Sequence, residues 1–256
     1  YWISRVVASA FDENRVYVAL NGYRWDNFEA MIYVSENQGK TWTKIGTNLP
    51  LEPVNVIKED PKNENLLYVG TDHGTYVSFD RGLSFMQIGK DLPAVPVHDL
   101  VIHPRENELI LGTHGRSIYI ADIEPLQNLN NEKMNSPLFI HSIGNATFND
   151  SWGKKRSEWS NPSETIRDII FFTKNGGSYQ LKISDNEGRT LKTISMDATK
   201  GFNYYNYDFT ADNKSGLKES ENGKYYLKAG NYTLKISGNN NSAEKPFEVS
   251  KPREQP

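Results

Sequence analysis

The chain has 256 residues, with 29 Lys and Arg against 32 Asp and Glu, and it contains no cysteine. The near-balanced charge, without a long basic run, gives no indication of nucleic acid or an anionic membrane surface as a partner. The absence of cysteine excludes disulfides and thiolate chemistry, and no apolar stretch approaches the roughly 18 residues that span a bilayer.

Three units of similar pattern follow one another in the first half of the chain. Each consists of short runs rich in β-branched and aromatic residues, separated by Gly, Pro, Asn and Asp, which is typical of β-strands and turns. The predicted strands are 5–10, 15–20 and 31–34 in the first unit, 54–58, 66–70 and 75–77 in the second, and 99–103, 109–112 and 117–120 in the third.

An eight-residue turn occurs twice, from Ser35 to Trp42 and, 43 residues later, from Ser78 to Phe85. A period of about 40–45 residues is that of a four-stranded propeller blade. The third unit lacks a fourth strand, and propellers close only with about four or more blades. We therefore predict that 1–126 forms the last two to three blades of a propeller. The remainder is expected upstream in the same protein or in another chain, because so few blades taken alone would leave strand edges and apolar faces exposed.

The pattern changes after residue 126. The polar segment 127–136 is predicted to be a linker. Beyond it, 137–256 contains about seven short strands, the signature of an immunoglobulin-like sandwich. The predicted strands are 137–142, 169–173, 179–184, 190–196, 204–209, 232–237 and 246–250. In the third of these, Tyr179, Leu181 and Ile183 are expected on one face.

The repeated turns resemble the Asp-box of bacterial neuraminidase repeats, of pattern S-x-D-x-G-x-[ST]-[WF]. The second turn matches fully, whereas Asn37 replaces the Asp in the first. The resemblance implies a structural role, in which the Asx side chain accepts backbone N–H bonds, glycine adopts a positive φ, and the aromatic residue fills the space between sheets. The structural residues are Ser35, Asn37, Gly39, Thr41 and Trp42 in the first turn and Ser78, Asp80, Gly82, Ser84 and Phe85 in the second.

A wider resemblance covers nearly the whole chain. The motifs Val77-Ser78-Phe79-Asp80-Arg81-Gly82 and Thr113-His114-Gly115-Arg116 are similar to the last blades of sortilin-like bacterial propeller proteins of the "glycosyl hydrolase, repeat-containing" type. Ala229-Gly230-Asn231-Tyr232-Thr233 resembles the Ig-like module of flagellar hook-capping proteins, although Tyr207 stands where that module often has Trp. The resemblance implies an all-β protein, with terminal blades of an Asp-box β-propeller followed by an Ig-like β-sandwich, and a secreted, periplasmic or cell-surface location in a bacterium.

The ligand face of a propeller is formed by the loops between the second and third strands of each blade and by the connections between blades. The long loop 21–28 mixes aromatic and charged residues, as ligand platforms commonly do. The alternative is that its aromatics only pack on adjacent blades and that His114 and Arg116 bond across the ring. The candidate ligand-binding residues are Tyr23, Arg24, Trp25, Asp26, Asp72, His73, His114 and Arg116.

No catalytic, metal-binding or cofactor-binding constellation is visible in the sequence. A glycosidase needs two facing carboxylates, and here Asp26 and Asp72 have no recognisable partner. The preferred hypothesis is a non-catalytic binding or scaffold module whose propeller funnel binds protein, peptide or glycan. The alternative is the C-terminal part of a sialidase- or xyloglucanase-like glycoside hydrolase with its carboxylates upstream, and a third is a peptide-gripping receptor.

Overall fold

A computed structural model describes residues 1–89, 92–212 and 216–252. The last four residues of the predicted second domain therefore lie outside the described residues. The chain divides into two compact units, Tyr1–Leu129 and Asn130–Pro256. The regular secondary structure of both units is almost entirely β-strand, which confirms the predicted all-β class.

The first unit contains three antiparallel sheets whose strands follow chain order. Two sheets have four strands and the third has three, so the predicted absence of a fourth strand in the third repeat is confirmed for the described residues. The strands are β1 (Trp2–Ala8), β2 (Val16–Gly22), β3 (Asn27–Ser35) and β4 (Thr43–Ile45); β5 (Val54–Glu59), β6 (Leu67–Thr71), β7 (Thr75–Ser78) and β8 (Met86–Ile88); and β9 (Val97–His103), β10 (Glu108–Thr113) and β11 (Ile118–Asp122).

The sheets pack on one another through two apolar cores. The first joins Tyr17 and Ile32 of the first sheet to Ile57 of the second, and the other joins Tyr68 of the second sheet to Leu109 of the third. The second sheet is consequently buried on both faces, so the alternation of burial is lost along β5, β6 and β7. Successive sheets that share cores in this way are the blades of a β-propeller, as predicted.

Most predicted strands differ from the observed ones by a few residues at their ends, and two of these differences in the first blade have a clear cause. The first strand ends at Ala8, not at residue 10, because the Ser9 hydroxyl and the Ala10 N–H both bond to the carboxylate of Glu59. The predicted loop 21–28 is also shorter, since β2 runs to Gly22 and β3 begins at Asn27. A 3₁₀ turn at Tyr23–Trp25 and a left-handed Asp26 reverse the chain within four residues.

The two repeated turns accept the same backbone N–H groups, although the Asn37 amide donates to the Thr41 hydroxyl whereas the Asp80 carboxylate accepts from the Ser84 hydroxyl. In the first, the Asn37 side-chain oxygen accepts from the Thr41 N–H at 2.9 Å, and in the second Asp80 accepts from the Ser84 N–H at 2.9 Å. In each turn the serine hydroxyl also accepts the N–H of the glycine, at 2.8 Å for Gly39 and 2.7 Å for Gly82. The glycines have φ of +83° and +89°. These are local bonds that hold the turn closed.

The aromatic residues of the two turns differ in burial. Phe85 is 7% exposed and belongs to the core between the first two blades, whereas Trp42 is 42% exposed. The expectation that both aromatics fill a space between sheets is therefore met by Phe85 and not by Trp42. Phe85 is buried because the second turn packs against the first blade, where the Gly46 N–H donates to the Gly82 carbonyl at 2.8 Å.

The carboxylate of Asp80 makes the second turn sensitive to acid. Partial burial alone would raise its pKa, but hydrogen bonds from Ser84 and Ser78 outweigh burial and hold the pKa below its usual value. A depressed pKa in the folded state stabilises the protein above the unfolded-state pKa of about 4, and this contribution is lost as the pH falls through the folded-state value.

We expect Asp80→Asn to be less stable than the parent chain at neutral pH, with the difference shrinking as the pH falls below about 4. Asparagine keeps an acceptor for the Ser84 N–H, as Asn37 shows in the first turn, but it removes the charge that titrates. Urea unfolding of the parent chain and the variant, from neutral pH to below about pH 4, measures the difference in the free energy of unfolding. A difference in the free energy of unfolding that stays constant down to strongly acidic pH would contradict a depressed pKa for Asp80.

The predicted linker 127–136 is largely helical. Helix α1 (Glu124–Gln127) begins before it and α2 (Asn131–Asn135) lies within it, where the Asn130 side chain caps the Lys133 N–H. Pro125 suits the first turn of a helix because its missing N–H would be unpaired there anyway. Within the described ranges, every helix is too short or too polar to cross a bilayer.

In the part of the second unit that the structure describes, the seven predicted strands are present, with shifted ends, together with three very short additional ones. They form a three-stranded sheet, β12-β14-β17, a five-stranded sheet, β13-β21-β20-β15-β16, and the pair β18-β19. The strands are β12 (Leu138–Ile143), β13 (Ala146–Thr147), β14 (Arg167–Thr173), β15 (Gly177–Asp185), β16 (Thr190–Ala198), β17 (Gly201–Tyr207), β18 (Thr210–Ala211), β19 (Tyr225–Tyr226), β20 (Gly230–Gly238) and β21 (Asn241–Ser250).

One core joins the two larger sheets of this unit into a sandwich. Tyr179, Leu181 and Ile183 all point into it, which confirms the predicted face of β15. Tyr207 is also buried, and its hydroxyl donates to the Thr210 carbonyl at 2.9 Å. Trp152, from the irregular segment before β14, completes the core by packing against Phe209 and Tyr226.

Candidate functional site

A groove of about 730 Å³ lies at one end of the three blades, where β1 begins, β2 ends and the β6–β7 and β10–β11 loops cross. We call it the interblade groove. All three blades contribute side chains because the inner strands and the loops between second and third strands converge at this end. Its lining residues are Trp2, Ile3, Ser4, Asn21, Tyr23, Arg24, Asn55, Asp72, Pro96, His98 and His114.

A chain of polar side chains crosses the groove from the first blade to the second. The Asn21 amide donates to Asn55 at 3.0 Å, and the Asn55 amide donates to the Asp72 carboxylate at 2.8 Å. Asn55 is 8% exposed, so its neighbours fix its orientation. Asn21 also accepts the Tyr23 N–H and thereby positions the 3₁₀ turn. The result is a pre-organised row of hydrogen-bonding groups that ends in a carboxylate.

Aromatic residues and a cation form one wall. The Arg24 guanidinium lies 4.2 Å from the centre of the Trp2 ring, which is a cation–π contact. Trp2 and Tyr23 are more than half exposed. No ion pair to Arg24 is present among the described residues, so its charge is available to a ligand.

Two histidines form the opposite wall. The rings of His98, on β9, and His114, after β10, meet edge to face with centroids 5.5 Å apart. Both are exposed. Within the described ranges, no three His, Asp or Glu side chains are placed to hold a metal ion.

The structure brings half of the candidate ligand-binding residues together in the groove, namely Tyr23, Arg24, Asp72 and His114. The other four lie outside its lining. Trp25 packs edge to face on Tyr1, and Asp26 has left-handed φ at the end of the 3₁₀ turn. The His73 ring lies 3.6 Å from Glu52, and Arg116 lies in the exposed β10–β11 loop.

Several groove residues were not among the sequence candidates. Trp2 and Ser4 belong to β1, Asn55 to β5 and His98 to β9, so they are inner-strand residues and not loop residues. One signal could have identified them. The inner strand of each blade begins directly after the connection between blades. The propeller prediction already placed these connections on the ligand face.

Comparison with known proteins gives a family match that spans both units. The family model Sortilin-Vps10, described as sortilin, neurotensin receptor 3, matches residues 30–248. No curated protein matches the chain.

Three solved structures are similar at low identity. PorZ, described as an essential bacterial surface component of the type-IX secretion system of Porphyromonas gingivalis, has 14% identity, a TM-score of 0.39 and coverage of 96% of this chain and 30% of its own. A GH74 enzyme from Niastella koreensis has 13% identity, a TM-score of 0.40 and coverage of 96% and 38%. YCF48 bound to D1 peptide has 12% identity, a TM-score of 0.34 and coverage of 94% and 84%. The chain thus spans well under half the length of the first two.

Proposed function

The chain belongs to the Sortilin-Vps10 family, and from this premise we propose that its interblade groove binds a protein, peptide or glycan without transforming it chemically. One observation carries the proposal. The groove offers exposed aromatic rings, an unpaired guanidinium and a fixed row of amides, yet Asp72 is the only acidic side chain that lines it among the described residues. Such a lining can recognise a ligand by stacking and hydrogen bonding.

The competing proposal is a part of a glycoside hydrolase. Inverting and retaining glycosidases both require two carboxyl groups on either side of the scissile bond. The Asp72 carboxylate already accepts a hydrogen bond from Asn55, and a second acid would have to come from outside the described lining of the groove. The hydrolase alternative therefore depends on groups that this groove does not supply.

The second unit is proposed to be an Ig-like module that acts as a spacer or docking element. Its two sheets around one core and its seven main strands support this classification. We also propose that the protein works outside the cytoplasm of a bacterium, as the absence of cysteine permits. Fractionation of the source cells would contradict this location if the protein stayed in the cytoplasm.

Ligand capture is tested by screening the chain against a panel of defined oligosaccharides, including sialosides and β-glucans, and against an immobilised peptide library. For any ligand found, Arg24→Ala should weaken binding at least about tenfold, or 1.4 kcal/mol, because it removes the unpaired guanidinium that stacks on Trp2 in the groove. Arg116→Ala is the matched control, since it removes the same side chain from outside the lining, and it should leave affinity unchanged.

The same panel separates the two functions. Intact ligands after prolonged incubation support binding alone, whereas turnover that is abolished by Asp72→Asn would establish a hydrolase. Equal effects of Arg24→Ala and Arg116→Ala, or the absence of any ligand in both panels, would remove the groove as the binding site.

A further inference from the structure

A smaller pocket lies in the second unit, between the segments 148–154 and 218–228, and has a volume of about 240 Å³. Sites for drug-sized ligands have roughly 300–1,000 Å³, so this pocket suits a group as small as one sugar ring. We call it the lysine pocket. Three aromatic residues and three lysines contribute to its lining, namely Phe148, Trp152, Tyr226, Lys154, Lys218 and Lys228.

The two segments are fixed to each other around Gly153. The Ser220 hydroxyl donates to the Trp152 carbonyl at 2.6 Å, and the Asn222 N–H donates to the Gly153 carbonyl at 3.1 Å. Gly153 has φ of +75°, and a Cβ there would lie 2.6 Å from the Ser220 hydroxyl oxygen and 2.7 Å from the Tyr226 ring. Only glycine allows this close approach, so the walls of the pocket are held in place before any ligand arrives.

Aromatic rings form the apolar part of the lining. Phe148 meets Trp152 edge to face with ring centroids 5.7 Å apart, and the Trp152 ring lies 6.0 Å from that of Tyr226. Trp152 and Tyr226 are 4% and 6% exposed, so they serve mainly the core of the sandwich, whereas Phe148 is half-buried and keeps accessible surface. The Phe148 ring is therefore the apolar surface on which a ligand can stack.

Three ammonium groups form the charged part of the lining. By contrast with Lys192, which pairs with Asp212 at 2.7 Å, none of them has an ion pair or a side-chain hydrogen bond to the residues that the structure describes. Lys154, Lys218 and Lys228 are all exposed, so their charges attract an anion to this pocket.

Two carboxylates lie among the lysines, those of Asp150 and Glu219. Glu219 already accepts from the Tyr225 hydroxyl at 2.7 Å. Two carboxylates against three ammonium groups leave the described lining with a positive excess, which favours an anion over a neutral ligand. A ligand with many negative charges would be repelled by both acids, whereas hydroxyl groups can donate to them. The lining thus fits a ligand with one anionic group and several hydroxyls.

We propose that the lysine pocket binds a single anionic sugar unit of a glycan. The apolar face of the sugar ring packs on Phe148, the lysines hold its anionic group, and Asp150 and Glu219 accept hydrogen bonds from its hydroxyls. The second unit then has a ligand of its own, and this site is independent of the interblade groove.

The test is an NMR titration of the whole chain with glucuronate and with glucose, its neutral counterpart. Glucuronate should shift the indole signal of Trp152 and the amide signals of 148–154 and 218–228 in a saturable way. It should bind at least about fivefold more tightly than glucose, because its carboxylate forms exposed ion pairs with the lysines. The double variant Lys154→Gln and Lys228→Gln should lose this preference.

The matched control is the double variant Lys174→Gln and Lys200→Gln, since both of these lysines are exposed in the same unit and lie outside the lining. It should bind glucuronate like the parent chain. Equal losses in the two double variants, equal affinity for glucose and glucuronate, or no saturable shift up to about 100 mM would overturn the proposal.

Two further ligands separate a sugar from other anions. Inorganic phosphate should bind more weakly than glucuronate, because it lacks a ring to pack on Phe148. Phosphate that binds as tightly would overturn the proposal and reduce the pocket to a site for any small anion. A triglutamate peptide that binds more tightly than glucuronate would also overturn it and identify an acidic peptide as the ligand.

Discussion

Replacement of Gly82 by alanine is expected to lower the free energy of unfolding of the first unit by about 2–4 kcal/mol. Two costs combine at this position. The backbone φ of +89° strains a residue with a Cβ, and the added carbon would lie 2.5 Å from the Ile45 Cδ1 and 3.2 Å from the Leu67 Cδ1 in the core between blades. Hydrogen exchange of β5 to β8 during urea unfolding measures the loss in this unit specifically.

Gly115→Ala is the matched control. Gly115 has a similar φ of +77°, but a Cβ there would meet nothing within 4 Å. It should therefore show only the backbone cost of about 1–2 kcal/mol. Equal losses for the two variants would mean that the second turn does not pack against the first blade as described.

The second large effect is expected at Asp60, whose replacement by alanine should cost about 3–5 kcal/mol. This fully buried carboxylate accepts from the Lys62 and Asn63 N–H groups at 2.8 and 3.1 Å, from the Tyr68 hydroxyl at 3.2 Å and from the Gln127 amide at 2.8 Å. Alanine would leave the buried Tyr68 hydroxyl without this acceptor and release α1 from the second blade.

Asp122→Ala provides the comparison, because the one hydrogen bond to its exposed carboxylate from the described residues is that of the Glu124 N–H at 2.9 Å. It should cost only about 1 kcal/mol, the typical net contribution of a single hydrogen bond. Thermal unfolding followed by calorimetry ranks the two variants. If Asp60→Ala were as stable as Asp122→Ala, the bonds of Asp60 to Tyr68 and Gln127 would not hold this segment together.

Tyr68 responds to the same environment. Burial raises the pKa of its hydroxyl first, and the charge and hydrogen bond of Asp60 raise it further. The hydroxyl therefore stays protonated and keeps donating to the carboxylate.

The sequence identified what depends on neighbours along the chain. The two turns could be located because Ser, Asx, Gly and Thr or Ser bond within eight residues, and the structure gives those bonds for Asn37 and Asp80 alike. The strands of the second unit could be located because their alternation is local, as for Tyr179 and Leu181. The predicted end of a strand was wrong where a residue distant in the chain takes the hydrogen bond that a neighbouring strand would otherwise make. Glu59 does this when it accepts the Ala10 N–H and the first strand ends at Ala8.

The groove could be predicted only in part. Tyr23 and Arg24 were found because a loop of mixed aromatic and charged residues is visible in the sequence. Asn55 and His98 were missed because their strands look like any other inner strands, and their role comes from three blades meeting at one end.

By itself, then, the sequence determined the period, the turns and the all-β class, because hydrogen bonds and side-chain alternation over a few residues set these features. Only the tertiary structure decided which of the two repeated glycines, Gly46 and Gly89, is covered by an aromatic ring. Phe85 packs on Gly46 because the second blade stands beside that glycine, whereas Gly89 is exposed among the described residues, in which the third blade has three strands. Burial depends on which surfaces meet across the fold, and residues distant in the chain supply those surfaces.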